Sequence, residues 1–133
     1  MELQDILKEI ESFSPSAAAA VRERKRQIDQ EGYTAQHDLG HLENELALAA
    51  ICYASPERRK VEKQPGDDRY PNIPTVQETD SKGVTKTYML MPPSLWPWGL
   101  DEWKPTPENR ARELEKAAAL LIAERDRIIN KKD

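Results

Sequence analysis

The stretch RELEKAAALLIAERDRIIN, from Arg112 to Asn130, is the most strongly helical part of this 133-residue chain. Good helix formers fill it without glycine or proline, and apolar and charged residues alternate with the spacing of an amphipathic helix. Thr106 suits the N-cap and Pro107 suits the first turn, so we expect this helix to begin there and to end near Asn130. The predicted buried stripe consists of Leu114, Ala117, Ala118, Leu121, Ile122, Arg125 and Ile128.

Three earlier segments also have helical spacing. Residues 2–13 predict a short amphipathic N-terminal helix. Ser14 and Pro15 suit the cap and first position of a second helix, which we expect to reach about Glu31, before Gly32. A third helix is expected to begin near Asp38 or His41 and to stop before Ser55-Pro56. Its predicted apolar stripe is Leu42, Leu46, Ala49, Ala50 and Tyr53.

The composition changes after Ser55, where most of the prolines lie. Within this part, PTVQETDSKGVTKTYMLM, residues 74–91, has two extended halves around the turn residues Asp80 to Gly83, which predicts a β-hairpin. A lone hairpin is marginally stable in water, so we expect residues 58–91 to form an arm or flap on a single helical domain spanning residues 1–133. The predicted fold is mainly α, with three to four helices in antiparallel packing and a small β-hairpin insertion.

Composition and charge limit the functional classes. The net charge of −4 disfavours a nucleic acid polymer as partner, because neutralising phosphates needs excess Lys and Arg. Charged residues make up 33% of the chain and hydrophobic residues only 38%, which favours a homo-oligomer with a shared interface. The single cysteine, Cys52, fits a reducing compartment, and no run approaches the length of a membrane span or forms a signal peptide. We therefore expect a cytoplasmic protein without membrane association.

A candidate ligand site lies where the second helix ends. Arg22 and Arg26 share one helical face, and guanidinium groups match phosphate oxygens in a two-pronged geometry. Aromatic rings from a tryptophan-rich loop are suitable walls for such a pocket. Two alternatives stay open: a solvated charged face for the arginines, and core packing for the tryptophans. The candidate ligand-binding residues are Arg22, Arg26, Gln27, Tyr33, His37, Asp38, Trp96, Trp98 and Lys104.

Metal chemistry is a second hypothesis. His37 and His41 are four residues apart, as in paired zinc ligands, but Gly40 lies between them and Asp38 is itself a good N-cap. The leading interpretation therefore includes no metal, no cofactor and no catalytic residue. The alternative is an Mg²⁺ or Mn²⁺ site formed by Asp38, His41, Glu45 and Glu124, although carboxylates on helices also pair simply with Arg and Lys.

Four blocks carry a resemblance to a known family. They are RQIDQEGYTAQHD (residues 26–38), ELALAAICYA (45–54), WPWGLDEWKP (96–105) and RELEKAAALLIAERDRI (112–128). In this order they resemble small proteins of tailed bacteriophages and prophages, a family without a settled activity. The resemblance implies a phage-related protein of the host cytoplasm. Its polar motif positions correspond to Arg26, Gln27, Glu31, His37, Asp38, Glu45, Lys104, Lys116 and Glu124.

Three functional hypotheses follow from these features. The leading one is a phage accessory protein that binds a small nucleotide-like molecule and so sequesters a host antiviral signalling nucleotide. The first alternative is a metal-dependent nucleotide pyrophosphohydrolase of the all-α type. The second alternative is an inhibitor that binds a host protein through the edge of its hairpin. Binding is favoured over catalysis, because the acidic residues lack the spacing expected of the hydrolase motifs.

Overall fold

A computed structural model describes residues 2–31 and 44–130. These residues form helices joined to a three-stranded antiparallel sheet, which confirms a mainly α fold with a small β insertion. None of the helices among them is both long enough and apolar enough to cross a lipid bilayer. The elements are α1 (Leu3–Phe13), α2 (Pro15–Glu31), α3 (Glu45–Ala54), β1 (Arg59–Glu62), β2 (Thr75–Thr79), β3 (Thr85–Met91), a 3₁₀ turn (Leu100–Glu102) and α4 (Arg110–Asn130).

The helix starts follow capping chemistry, with one correction. The predicted cap of α2 is confirmed, because the Ser14 hydroxyl accepts the backbone N–H of Ala17 at 3.1 Å. The start predicted for α4 at Thr106 is wrong. This helix begins at Arg110, and the Asn109 side-chain oxygen accepts the N–H of Arg112 at 3.1 Å. Asparagine caps a helix at least as well as threonine, and Thr106 instead takes part in the preceding turn.

The third helix is shorter than the sequence predicts. It begins at Glu45, and Asn44 before it has a left-handed backbone with φ of 71°. A continuous helix from Asp38 or His41 to Ala54 is therefore excluded, since that conformation breaks the helical path. The predicted apolar stripe is confirmed for its described members, which are Leu46, Ala49, Ala50 and Tyr53; Leu42 lies outside the described residues.

Helix α4 packs against both α2 and α3, but through a face different from the predicted one. Of the seven residues in the predicted stripe only Ala117 is buried, whereas Leu114, Leu121 and Ile128 are 47%, 53% and 55% exposed. Three of the six buried residues of α4 are alanines, whose small side chains allow neighbouring helices to approach closely. Small residues from α2 and α3 are buried as well. The alanines concerned are Ala18, Ala20, Ala49, Ala50, Ala117, Ala119 and Ala123.

The sheet has the strand order β1-β3-β2. The β2–β3 hairpin forms around the predicted turn, where Gly83 has φ of 80° and the Asp80 carboxylate accepts two backbone N–H groups. Sequence analysis missed β1, whose four residues are all exposed and carry no clear alternation. The C-terminal end of β3 is buried, and Met89 and Met91 belong to the same core cluster as Trp103 and the alanines of α3 and α4.

One buried carboxylate connects three parts of the fold. Glu113, in the first turn of α4, accepts hydrogen bonds from Arg58 at 2.7 Å, from Arg110 at 3.1 Å and from the backbone N–H of Thr106 at 3.1 Å. Arg110 also donates to the carbonyl oxygen of Tyr53 at 2.8 Å, near the end of α3. The start of α4, the end of α3 and the beginning of the β insertion are thus fixed together.

Candidate functional site

An open hollow of about 410 Å³ lies between α2 and α4. The arginines Arg22 and Arg26 come from α2, and Arg112 comes from the first turns of α4. Two carboxylates accompany these three guanidinium groups. Among the described residues, the lining consists of Ala19, Arg22, Glu23, Arg26, Arg112 and Glu115.

Glu23 is the buried centre of this arrangement. Glu23 is 3% exposed, and its carboxylate accepts two hydrogen bonds from Arg26, of 2.8 and 2.9 Å. The Arg112 guanidinium approaches the same carboxylate at 2.7 Å. Burial acts to raise the pKa of Glu23, but the hydrogen bonds from Arg26 and Arg112 outweigh it and hold the pKa below its usual value of 4.5. Glu23 therefore stays ionised and orients both guanidinium groups.

The other ion pairs of the hollow, which Arg22 and Arg112 form at its rim, are more exposed than Glu23. Arg22 binds Glu11 of α1 at 3.1 Å, and both side chains are nearly half exposed. Arg112 also contacts Glu115 at 3.3 Å. Ion pairs in such surroundings contribute only about 0–1 kcal/mol, because water and side-chain entropy offset the attraction. An incoming anion of higher charge can therefore compete for these arginines.

Lys116 is close both to the Tyr53 ring and to charged residues that line the hollow. Its ammonium donates to the carbonyl oxygen of Lys104 at 2.6 Å and lies 5.5 Å from the centre of the Tyr53 ring. Burial lowers the pKa of Lys116, and the positive charge of Arg112 lowers it further, while Glu23 opposes this effect. Lys116 therefore interacts electrostatically both with Arg112 and with the Tyr53 ring.

The three tryptophans and Tyr53 form one aromatic cluster, in which Trp98 meets Trp96 edge-on. The Trp103 ring stacks on Tyr53 with 5.0 Å between ring centres, and Trp96 meets both rings edge-on. Trp103 is 1% exposed and donates its indole N–H to the carbonyl oxygen of Leu90 at 2.9 Å. Trp96 and Trp98 are partly buried against the same core. Core packing is therefore the structural role of Trp103, and Trp96 packs against its ring.

The structure brings together some of the predicted ligand-binding residues. Arg22 and Arg26 line the hollow, and Gln27 lies buried beside it, with its amide N–H 3.4 Å from Glu23. The tryptophans Trp96 and Trp98 are not among the residues that line this hollow. Lys104 contacts Tyr53 and Lys116 through its backbone groups. Tyr33, His37 and Asp38 lie outside the described residues.

Sequence reasoning missed Glu23, Arg112 and Glu115 as lining residues. The spacing of Arg112 and Glu115 on one helix predicts a contact between them, which the structure contains. Nothing local indicates that Arg112 faces Glu23, because the two residues come from helices far apart along the chain. Only the packing of α2 on α4 creates this pair.

The alternative metal ligands have other partners where the structure describes them. Glu45 accepts the indole N–H of Trp98 at 2.9 Å, and Glu124 binds Arg127 at 2.6 Å. Asp38 and His41 lie outside the described residues. Across residues 2–31 and 44–130 there is no cluster of three or more metal-ligating side chains.

Comparisons of the chain with protein-family models, with curated proteins and with solved structures find no match.

Proposed function

We propose that this protein binds a small anionic, nucleotide-like molecule, and that the phosphate groups of this ligand occupy the hollow between α2 and α4. The observation that carries the proposal is the convergence of Arg22, Arg26 and Arg112 on one open hollow. Guanidinium groups donate two parallel hydrogen bonds to phosphate oxygens, and such charge-assisted bonds are about twice as strong as neutral ones.

The buried Glu23 makes the arginines suitable for this role. By binding Arg26 and Arg112 from below, its carboxylate fixes their guanidinium planes before a ligand arrives. Preorganised groups lose less side-chain entropy on binding, and each immobilised long side chain otherwise costs about 0.5–1.5 kcal/mol. Arg22, which pairs with the exposed Glu11, can exchange this partner for a phosphate oxygen.

The wider biological proposal rests on the four sequence blocks described above. We propose an accessory protein of a tailed bacteriophage or prophage that acts in the host cytoplasm and sequesters a nucleotide used in antiviral signalling. Sequestration requires binding without turnover, which matches a site built from arginines rather than metal ligands. We also propose that α3 and α4 run antiparallel, a geometry supported by the hydrogen bond from Arg110, the first residue of α4, to the Tyr53 carbonyl near the end of α3.

The test is binding of a nucleotide panel by calorimetry, with mononucleotides, cyclic dinucleotides and inorganic phosphate as the probes. Wild-type protein should retain at least one phosphate-bearing nucleotide and release it chemically intact after heat denaturation. Arg22→Ala should weaken that binding about tenfold or more, because it removes one charge-assisted contact of about 1.5–3 kcal/mol. Arg22 is the preferred position for this change because it pairs with an exposed carboxylate on α1, Glu11, so its loss should affect folding little.

The matched control is Arg69→Ala. Arg69 is an exposed arginine of the β insertion with an acidic partner, Asp67, but it does not line the hollow. Its substitution should leave nucleotide binding unchanged. Equal binding by wild type and Arg22→Ala, or equal losses in both variants, would remove the hollow from consideration as the ligand site.

The same incubations separate the two alternatives. A metal-dependent pyrophosphohydrolase would convert the nucleotide in the presence of Mg²⁺ or Mn²⁺, and chromatography would detect the products. An inhibitor of a host protein would neither retain nor convert it. The inhibitor alternative is favoured by β2, which lies at one edge of the sheet with mostly exposed side chains and can accept an added strand.

A further inference from the structure

The outward face of α4 carries a continuous apolar stripe. Leu114, Leu121 and Ile128 are each about half exposed, whereas Leu120 of the same helix is buried. Each lies seven residues from the next; Ala111 precedes them, and Ala118 and Arg125 fall between them, so that the spacing alternates between three and four. This is the repeat that places side chains along one seam between two packed helices. From Leu114 to Ile128 the stripe is about 21 Å long.

We propose that this stripe is the contact surface for a second copy of the chain, and that the two α4 helices pair antiparallel across Leu121. In that arrangement Leu121 meets its counterpart at the twofold axis. Leu114 of one copy meets Ile128 of the other, because each lies seven residues, or about 10 Å, from the axis. All three large apolar residues then find an apolar partner.

The orientation follows from the residue between Leu121 and Ile128. Parallel pairing would place Arg125 against Arg125 of the second copy, with two like charges at an apolar seam. Antiparallel pairing places the long Arg125 side chain over the small Ala118 of the second copy, and its guanidinium within reach of that copy's Glu115. The charges then complement one another, and a large side chain lies opposite a small one.

This pairing would also bring a residue of the second copy to the rim of the hollow. Glu115 lines the hollow and borders the stripe, so the Arg125 of the second copy would lie at the rim, beside Arg112. The self-association does not depend on the proposed ligand, since its contacts are apolar and its charge pair is complete without one. A single seam of this length is near the lower end of stable interfaces, so the dimer should dissociate on dilution.

Sedimentation across a wide concentration range tests the proposal. The wild-type mass should rise from 15.2 kDa towards twice this value as concentration increases. Leu121→Lys should remain monomeric at all concentrations, and it should fold, because Leu121 is 53% exposed. The matched control is Leu95→Lys, a similarly exposed leucine in a loop, which should associate like wild type. Monomeric wild-type protein throughout, or a Leu121→Lys dimer, would overturn the proposal.

Two further measurements test the orientation. Arg125→Glu should raise the dimer dissociation constant about tenfold, and adding Glu115→Lys should restore it. A spin label on Ala111→Cys should give a distance of about 30 Å across an antiparallel pair and about 10 Å across a parallel one. Cys52 is fully buried and burial raises the pKa of its thiol, so labelling is directed to the introduced cysteine. A short distance, or no rescue by the second substitution, would overturn the antiparallel assignment.

Discussion

The substitution Glu113→Gln tests how the helical part and the β insertion are held together. Glu113 and its partner Arg58 are 4% and 9% exposed at their side chains, so solvent does not screen their attraction. Glutamine keeps the size of the side chain and can still accept a hydrogen bond, but it removes the negative charge. The Arg58 guanidinium, which also lies 5.2 Å from the centre of the Trp103 ring, is then left buried without its counter-ion.

The expected cost is near the lower end of the range for breaking a buried pair, which is about 3–5 kcal/mol. Arg58 keeps a hydrogen bond to the Ser55 carbonyl oxygen and its contact with the Trp103 ring, and both reduce the loss. For a chain of this length, about 3 kcal/mol corresponds to a fall of roughly 12 °C in Tm. This is a large fraction of the total stability of an ordinary domain.

The assay is thermal and urea unfolding followed by circular dichroism, with Glu78→Gln as the matched control. Glu78 pairs with Lys60 on the sheet surface, where both side chains are about half exposed, so its loss should cost less than about 1 kcal/mol. Adding Arg58→Met to Glu113→Gln should recover part of the stability, because it removes the stranded charge. Equal effects of Glu113→Gln and Glu78→Gln would refute the reasoning that burial gives this pair its importance.

Three other substitutions have defined outcomes. Glu23→Gln should destabilise the protein at neutral pH, because a carboxylate with a depressed pKa stabilises the folded state only while it is ionised. The difference in unfolding free energy from wild type should vanish as pH falls from about 4.5 through the lowered pKa of Glu23, and urea unfolding at several pH values measures it. Trp103→Phe should cost about 2–3 kcal/mol in urea unfolding, because it leaves a void and strands the Leu90 carbonyl oxygen. Gly83→Ala should cost about 1–2 kcal/mol through its left-handed backbone alone, since no atom lies within 4 Å of the added Cβ, and faster hydrogen exchange in the β2–β3 hairpin would report it.

Features that depend on short-range chemistry were predictable from the sequence. Ser14 caps α2, because its hydroxyl lies next to the free N–H groups of the first turn. The turn from Asp80 to Gly83 forms because glycine accepts a positive φ and aspartate accepts nearby N–H groups. The apolar stripe of α3 was equally clear, since this short helix has a single run of apolar residues, buried as predicted.

The sequence by itself determined where most helices and the hairpin lie, since caps, turns and apolar spacing act over a few residues. It did not determine which face of α4 turns inward, because two faces of that helix are apolar and only contact with α2 and α3 distinguishes them. The close approach of alanines there directs Leu114, Leu121 and Ile128 outward. The same packing brings Arg112 to Glu23, a pair that no local pattern encodes. The attraction between these two residues becomes strong only when two segments distant in sequence exclude water from the carboxylate between them.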